Sequence, residues 1–403
     1  MKNLVLILLL AILAAPAAAE SAGPLISATG TRLGGDEAKT RLIVDLSGPV
    51  EPHVFTLADP YRVIVDLPQV VFGSNPLPHE ARGLVSAYRY GLIAPGRSRI
   101  VIDAKEPVIV DDVEQVEAAD GQPARLVIVL SPTSRTAFLQ TMQAEAPGVT
   151  QLPPAPTPKV PRSAEDHRPV VVIDPGHGGI DTGAKGAQGE EEKNVVLEFA
   201  RTLNSKLLQS NRYRVVMTRS DDNFVALADR VRIARENEAE LFVSIHADSL
   251  SDPFGVRGAT VYTLSENASD AEAERLAEKE NRADVIAGVK LTEQPDEVAG
   301  ILIDLARRET QTFSTRFATT LVGSVKKAIR MNKNPMRSAG FLVLKAPDVP
   351  STLLELGYMS SKEDLKLLTS QAWRDKAADA MVQAIDSYFG PRVHAGRGNT
   401  SVN

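Results

Sequence analysis

Val170-Val171-Val172-Ile173-Asp174-Pro175-Gly176-His177-Gly178-Gly179-Ile180-Asp181-Thr182-Gly183 opens the C-terminal half of this 403-residue chain. Its first four residues form an unbroken β-branched run, the pattern of a strand buried on both faces. A glycine-rich turn follows and presents His177; the glycines let backbone and imidazole come close to an ion or a substrate. A second apolar run, 241–245, is followed by His246. Two of the chain's six histidines thus stand just past strand-like runs, and strand ends are where α/β proteins build their sites.

Around these runs, strand and helix patterns alternate. Strand-like segments fall at 170–173, 212–217, 241–245, 259–264, 341–344 and 352–356, and helical ones at 194–209, 226–236 and 371–389. The alternation predicts an α/β domain over 169–389, with a mixed sheet flanked by helices. Residues 390–403 read as a disordered tail.

Residues 25–131 differ in character. Short β-rich runs at 40–46, 54–57, 62–66, 98–103 and 125–130 alternate apolar and polar residues and are separated by turns, which predicts a small all-β, antiparallel sandwich. No cluster at metal-ligand spacing occurs in it, so a binding or targeting role is expected. Between the two halves, 132–168 holds Pro132, Pro147, Pro153, Pro154, Pro156, Pro158 and Pro161. This is expected to be a semi-stiff linker that lets the halves sit apart.

The first 19 residues combine Lys2, an apolar run of about ten residues and small residues ending at Ala19. That is the layout of a secretory signal peptide, because a membrane-spanning helix needs roughly 20 apolar residues. No cysteine is present, so thiol catalysis and Cys-ligated metal are excluded, whereas export is not. The net charge of −6 comes without a concentrated basic face, which argues against a nucleic-acid substrate.

His177 and His246 suggest a metal, and a catalytic zinc takes three protein ligands while keeping one position open. The run Glu190-Glu191-Glu192-Lys193-Asn194 offers carboxylates at a helix start, where negative charge is favoured. Glu355, in Thr352-Leu353-Leu354-Glu355-Leu356-Gly357-Tyr358, is a carboxylate inside an apolar strand and is a further candidate. Asp174 and Asp248 could orient the imidazoles or could simply form turns. A phosphate-cradling role for the glycine turn is set aside, since the spacing and Lys-Ser/Thr pair of a P-loop are missing.

Asp174-Pro175-Gly176-His177-Gly178-Gly179, Glu192-Lys193-Asn194, Ser244-Ile245-His246-Ala247-Asp248 and Leu354-Glu355-Leu356-Gly357-Tyr358 occur in an order that resembles the type-3 domain of zinc N-acetylmuramoyl-L-alanine amidases. The resemblance covers 169–389. The N-terminal half resembles, more weakly, the AMIN module that precedes such domains, through 40–46 and 60–68. The resemblance implies one Zn²⁺ held by His177, Glu192 and His246, with Glu355 as catalytic base. It also implies peptidoglycan as substrate and cleavage between N-acetylmuramic acid and L-alanine in the periplasm. Another zinc cell-wall peptidase, or a wall-binding protein without activity, are the competing readings.

About 75 residues separate the strand-like segments ending at 264 and starting at 341, more than a crossover helix needs. N-cap residues at 265–270 introduce a charged helix over 271–285. Division-associated amidases that the chain resembles carry a regulatory helix here, so 265–313 is expected to be an autoinhibitory insertion. Glu280 is the expected plug, with Glu278 and Glu266 as rivals. Val298, Ile301, Leu302 and Leu305 follow helical apolar spacing, and could either pack on the sheet or dock an activator. The resemblance implies an activator of the degenerate metallopeptidase (LytM-like) type.

Overall fold

The computed structural model describes residues 25–58, 60–72, 81–94, 96–119, 121–144, 155–159, 166–249, 257–286 and 301–396. Residues 1–19, read above as a signal peptide, lie outside them. In the N-terminal half nine strands form two facing sheets: β1 (Ile26–Gly35), β2 (Thr40–Leu46), β3 (His53–Leu57), β4 (Arg62–Pro68), β5 (Val70–Phe72), β6 (Val85–Ala94), β7 (Arg97–Ala104), β8 (Val108–Val116) and β9 (Ala124–Pro132). Their orders are β5-β1-β2-β9-β8 and β3-β4-β7-β6. Every pairing is antiparallel except that of β1 with β5.

Period-two alternation builds the sandwich core. Leu42, Val44 and Leu46 of β2 and Leu126, Ile128 and Leu130 of β9 meet Val63, Val65, Ile100 and Ile102 of the other sheet, as facing sheets require. Along β4, however, Val63 to Leu67 are all buried. The outer face of that sheet is covered too: Ile64, Ile93 and Val101 pack against Ile180 and Phe224 of the C-terminal half.

The interval expected to be a linker differs from that expectation. It opens with helix α1 (Arg135–Ala144), whose Phe138 packs edge-on against Tyr61 at 5.1 Å. Further along, the Ala155 amide donates to Asp229 Oδ2 at 2.9 Å, and Asn237 Nδ2 donates to the Pro158 carbonyl at 3.0 Å. An extended proline-rich segment leaves its carbonyls free to accept such donors, so this stretch lies along a helix of the second half instead of holding the halves apart.

The C-terminal half contains β10 (Val170–Pro175), α2 (Glu192–Ser210), β11 (Arg214–Met217), α3 (Leu227–Glu236), β12 (Leu241–His246), β13 (Ala259–Leu264), α4 (Ala271–Asn281), α5 (Ala283–Ile286), α6 (Ile301–Val325), β14 (Met331–Ala339), β15 (Ser351–Glu355), α7 (Lys362–Leu368) and α8 (Gln371–Gly396). The sheet order is β11-β10-β12-β15-β13-β14. β11, β10, β12 and β15 run parallel, and β13 is antiparallel to β15, so the sheet is mixed. Every residue of β10 and β12 is buried. Phe199, Leu203, Phe317, Ala384 and Phe389 of α2, α6 and α8 cover one face. The other face is covered by Ile233 of α3, Leu276 of α4 and Phe341.

Three local expectations are corrected. The apolar run near 341–344 is a 3₁₀ turn at Leu342–Leu344, and the strand is β14, just before it. The β13–β14 register jumps from Met331 to Met336, so Asn332-Lys333-Asn334-Pro335 bulges out of the ladder, where proline and polar residues are tolerated. α8 continues to Gly396, past the point where the tail was expected to begin. The expected insertion 265–313 does not end at 313: α6 runs unbroken to Val325. Of the apolar stripe, Val298 lies outside the described residues, and Ile301, Leu302 and Leu305 belong to the opening turns of α6.

Phe199 is fully buried at the centre of the larger core. Phe199→Ala is expected to cost about 3–5 kcal/mol through lost burial and the cavity left behind. Urea unfolding of the full chain reads this, and a loss below about 1 kcal/mol contradicts the packing described.

Candidate active site

Parallel register assembles the site at the carboxyl ends of three neighbouring strands. Pro175 of β10 pairs with Ile245 of β12, and His246 at the end of β12 pairs with Glu355 at the end of β15. The turn after β10 brings His177 back over this edge. Glu192 is the first residue of α2 and buried. Its Oε2 accepts from the Ala184 amide at 2.9 Å and its Oε1 from the Ala247 amide at 2.8 Å. Gly183, at φ +64°, lets the chain pass: a Cβ there would stand 2.7 Å from both Glu192 Oε2 and His177 Cδ2.

His177 Nε2 lies 3.0 Å from Glu192 Oε1, and His246 Nδ1 lies 3.3 Å from the same oxygen. The three ligand atoms offered by His177, Glu192 and His246 all fall within 4.8 Å of one another. Both ring nitrogens are buried without a hydrogen-bond partner. Ligand atoms each about 2.1 Å from one tetrahedral ion stand roughly 3.4 Å apart, so the donor set fits a small divalent cation. Within the glutamate run, Glu190 Oε2 instead accepts from the Gln188 amide at 3.1 Å, and Glu191 faces Lys193 at 3.6 Å.

Glu280, on α4, reaches the same point. Its Oε2 is 3.3 Å from His246 Nδ1 and 3.6 Å from His177 Nε2, and its Oε1 is buried without a hydrogen bond, 3.8 Å from Lys279 Nζ. The helix is held in place at both ends. Asp270 caps its start, accepting from the Glu272 and Ala273 amides; Asn281 Nδ2 donates to the Gly340 carbonyl at 2.9 Å, and Asn281 Oδ1 accepts from the Leu342 amide at 2.8 Å. Lys279, next to Glu280 in the chain, is paired with Asp248. A cavity of only about 10 Å³ remains among His177, His246 and Glu280, which leaves no room for a substrate. The rival residues Glu278 and Glu266 are exposed.

Glu355 is buried, with Oε2 accepting from the Asp248 amide at 2.9 Å and Oε1 unpartnered. Burial, with Asp248 and Glu192 nearby, pushes its carboxyl well above the usual carboxylate range. Asp248 is likewise pushed up to about 6 by burial, with Lys279 opposing and Glu192 and Glu280 adding. For His177 burial opposes the charged form, yet Asp181, Glu192 and Glu280 outweigh it and raise the imidazole. Burial opposes ionisation of Glu192 as well, but His177 holds its carboxyl far below the usual range. The cluster therefore favours one positive charge at its centre, whether a proton or a metal cation.

Asp174 and Asp248 do not meet the expectation that they orient the imidazoles. Asp174 accepts from Thr218 Oγ1 at 2.6 Å, Ser244 Oγ at 2.7 Å and Arg230 Nη1 at 2.7 Å, while Asp248 serves Lys279. Asp174 lies within the β10 ladder, paired with Ser244 of β12, and its carboxylate is fully occupied by these three donors. The residue that bonds an imidazole is Asp181, whose Oδ2 lies 2.8 Å from His177 Nδ1 and leaves Nε2 facing the cluster. The spacing His177-x-x-x-Asp181 was the available signal.

Two buried arginines also escaped sequence reasoning. Arg230 donates to the Pro175 and His177 carbonyls at 2.8 Å each, and Arg219 donates to the Pro175 carbonyl at 3.0 Å and the Gly176 carbonyl at 2.7 Å. They fix a turn in which His177 sits at φ +58°, a left-handed conformation that costs a non-glycine residue about 1–3 kcal/mol. Burial, together with the neighbouring Arg230 charge, lowers Arg219 to about 10.

Residues 171–387 match the family model described as N-acetylmuramoyl-L-alanine amidase. The chain belongs to that family. Residues 31–130 of this amidase match the model described as AMIN domain. The chain is similar to N-acetylmuramoyl-L-alanine amidase AmiC of Escherichia coli O6:H1 (strain CFT073), at 32% identity over 363 residues, covering 87% of this chain and 86% of that one. It is also similar to AmiC of Neisseria meningitidis serogroup B, at 31% identity over 381 residues, covering 91% and 90%. It is similar as well to AmiA of Escherichia coli K12, at 42% identity over 221 residues, covering 55% of this chain and 76% of that one. The protein is a peptidoglycan amidase with an N-terminal AMIN domain. Among the described residues, no helix of the amidase is long and apolar enough to cross a membrane.

Arg230→Met removes the buried partner of Asp174 and two carbonyl contacts of the His177 turn. The expected cost is about 3–5 kcal/mol, because a buried charge is left uncompensated. Denaturant unfolding measures it, and a neutral result contradicts the role assigned to the pair.

Proposed function

We propose that this amidase is a zinc enzyme of the periplasm that cuts the amide bond between N-acetylmuramic acid and L-alanine during cell separation and wall remodelling. It rests in an autoinhibited state until a protein partner withdraws α4. The observation that carries the reading is the convergence of His177 Nε2, His246 Nδ1 and Glu192 Oε1 beside the buried, half-satisfied carboxylate of Glu355.

His177, Glu192 and His246 would hold the metal. Zinc, when bound, supplies Lewis acidity that polarises the scissile carbonyl and acidifies water in the site. Two histidines and a carboxylate suit other first-row ions as well, and zinc is preferred from the family. Glu192 is anchored by two backbone amides, so it keeps its place when the site opens. Asp181 fixes the His177 ring so that Nε2 faces the metal. Glu355 takes a proton from the attacking water and returns it to the departing L-alanine amine. A carboxyl whose affinity for protons is raised by burial suits that double duty.

Glu280 supports the autoinhibited state, since its carboxylate lies where an open coordination position and the substrate carbonyl would have to be. An activator of the degenerate metallopeptidase type, docking near Val298, Ile301, Leu302 and Leu305, would displace α4. The AMIN domain is assigned to peptidoglycan targeting.

With purified peptidoglycan, Glu280→Ala is expected to raise basal release of stem peptides several-fold without any partner. Glu355→Gln should lower hydrolysis by about 10²–10⁴-fold. Mass spectrometry should find stem peptides with a free L-alanine amine; products cut elsewhere in the peptide would point to a carboxypeptidase. Asp181→Asn should weaken zinc affinity by about 10–100-fold, read by competition with a chromophoric chelator; unchanged affinity contradicts its placement behind His177.

A further inference from the structure

Arg219 and Arg230 hold the carbonyls of residues 175–177, and Gly179 is held in addition by Lys193 Nζ, which donates to its carbonyl at 2.8 Å, and by Asp222 Oδ1, which accepts from its amide at 2.8 Å. Gly178 at φ +126° and Gly179 at φ +56° continue the left-handed path that His177 begins. Their far side is covered by the N-terminal sandwich. The Ile180 amide donates to the Leu92 carbonyl of β6 at 3.1 Å. The Ile180 side chain is fully buried in a cluster with Ile64, Ile93 and Val101 of the sandwich and with Phe224.

The approach is close enough to exclude side chains from both partners. A Cβ on Gly91 would stand 2.6 Å from the Gly179 carbonyl carbon and the Ile180 nitrogen, and a Cβ on Gly179 would run into the Leu92 carbonyl. Gly91 has no left-handed backbone of its own, so the conformation of β6 does not call for glycine there. What calls for it is the catalytic turn lying against it. β6 is the edge strand of its sheet, and its register with β7 shifts between Leu92 and Ala94. Such a bulge re-aims side chains, and here Ile93 enters the cluster around Ile180 while the Leu92 carbonyl is left to accept from outside the sheet.

We propose that β6 of the sandwich is a wall of the metal centre, in which Gly91, Leu92 and Ile93 are positioning residues that hold His177 in place through Ile180. In this account the AMIN domain has a second role beside wall targeting, as part of the scaffold that fixes one metal ligand. The inference rests on the proposal that His177 is a zinc ligand.

The test uses the full chain and two readouts, amide hydrogen exchange at Ile180 and zinc affinity by chelator competition. Gly91→Ala inserts one methyl group into the contact, and Ile93→Ser empties part of the cluster. Both should speed exchange at Ile180 and raise the zinc dissociation constant by about tenfold, the scale seen when support behind a ligand is lost. Ile93→Val should restore affinity to within about twofold of the parent, as should Gly34→Ala, whose Cβ meets nothing within 4 Å. Should Gly91→Ala fail to fold, Ile93→Ser and Ile93→Val carry the comparison.

Faster exchange at Ile180 with unchanged zinc affinity overturns the proposal, as does no change in either readout. If the parent chain binds no zinc while Ile180 exchange still responds to the substitutions, it is the metal reading that has failed, and the positioning role falls with it.

Discussion

Three carboxylates, Asp181, Glu192 and Glu280, press on two imidazoles in a space closed to solvent. Buried like charges are unfavourable unless a positive charge lies among them, and much of the surrounding architecture serves to keep the group together in spite of this. Glu192 is tied by two amides, Glu355 by one, and the carbonyls of the His177 turn by two arginines. Asp174, fully buried below, is the counter-charge for Arg230. A second layer of charge thus stabilises the backbone that carries the first.

The same arrangement explains how one helix can close the site. α4 needs no covalent tie. Its apolar residues Ala273, Leu276 and Ala277 join the core on one face of the sheet, while Lys279 and Glu280 reach the cluster. A partner that offers α4 another apolar surface would compete with that packing, and the carboxylate would leave with the helix. A single oxygen of Glu280 lies near both histidines, whereas Glu192 and Glu355 are held by amides of other elements, so in the proposed switch α4 would leave without disturbing them.

Much of this was legible in the sequence, for physical reasons. β10 and β12 are buried on both faces and so read as continuous apolar runs, with one histidine of the cluster just past the first and the other at the end of the second. Glu355 stood out as a carboxylate in an apolar strand. What stayed hidden depends on contacts distant in sequence. Arg219 and Arg230 look like ordinary surface arginines until the fold buries them against the carbonyls of residues 175–177. The sequence leaves Asp174 open between an imidazole partner and a turn former, whereas the fold buries it against Arg230 and directs the His177 ring toward Asp181. β14 lost its strand pattern where four residues bulge from the ladder. The burial of both faces of β4 was invisible because the second half of the chain supplies one of the covers.

The most direct test of the account is to locate the metal, by anomalous diffraction at the zinc edge from crystals of the zinc-loaded full chain. One peak is expected between His177 Nε2, His246 Nδ1 and Glu192, with the Glu280 carboxylate as its fourth neighbour. A peak elsewhere in the chain, or a zinc at these three residues with Glu280 turned away and the site open, would contradict it.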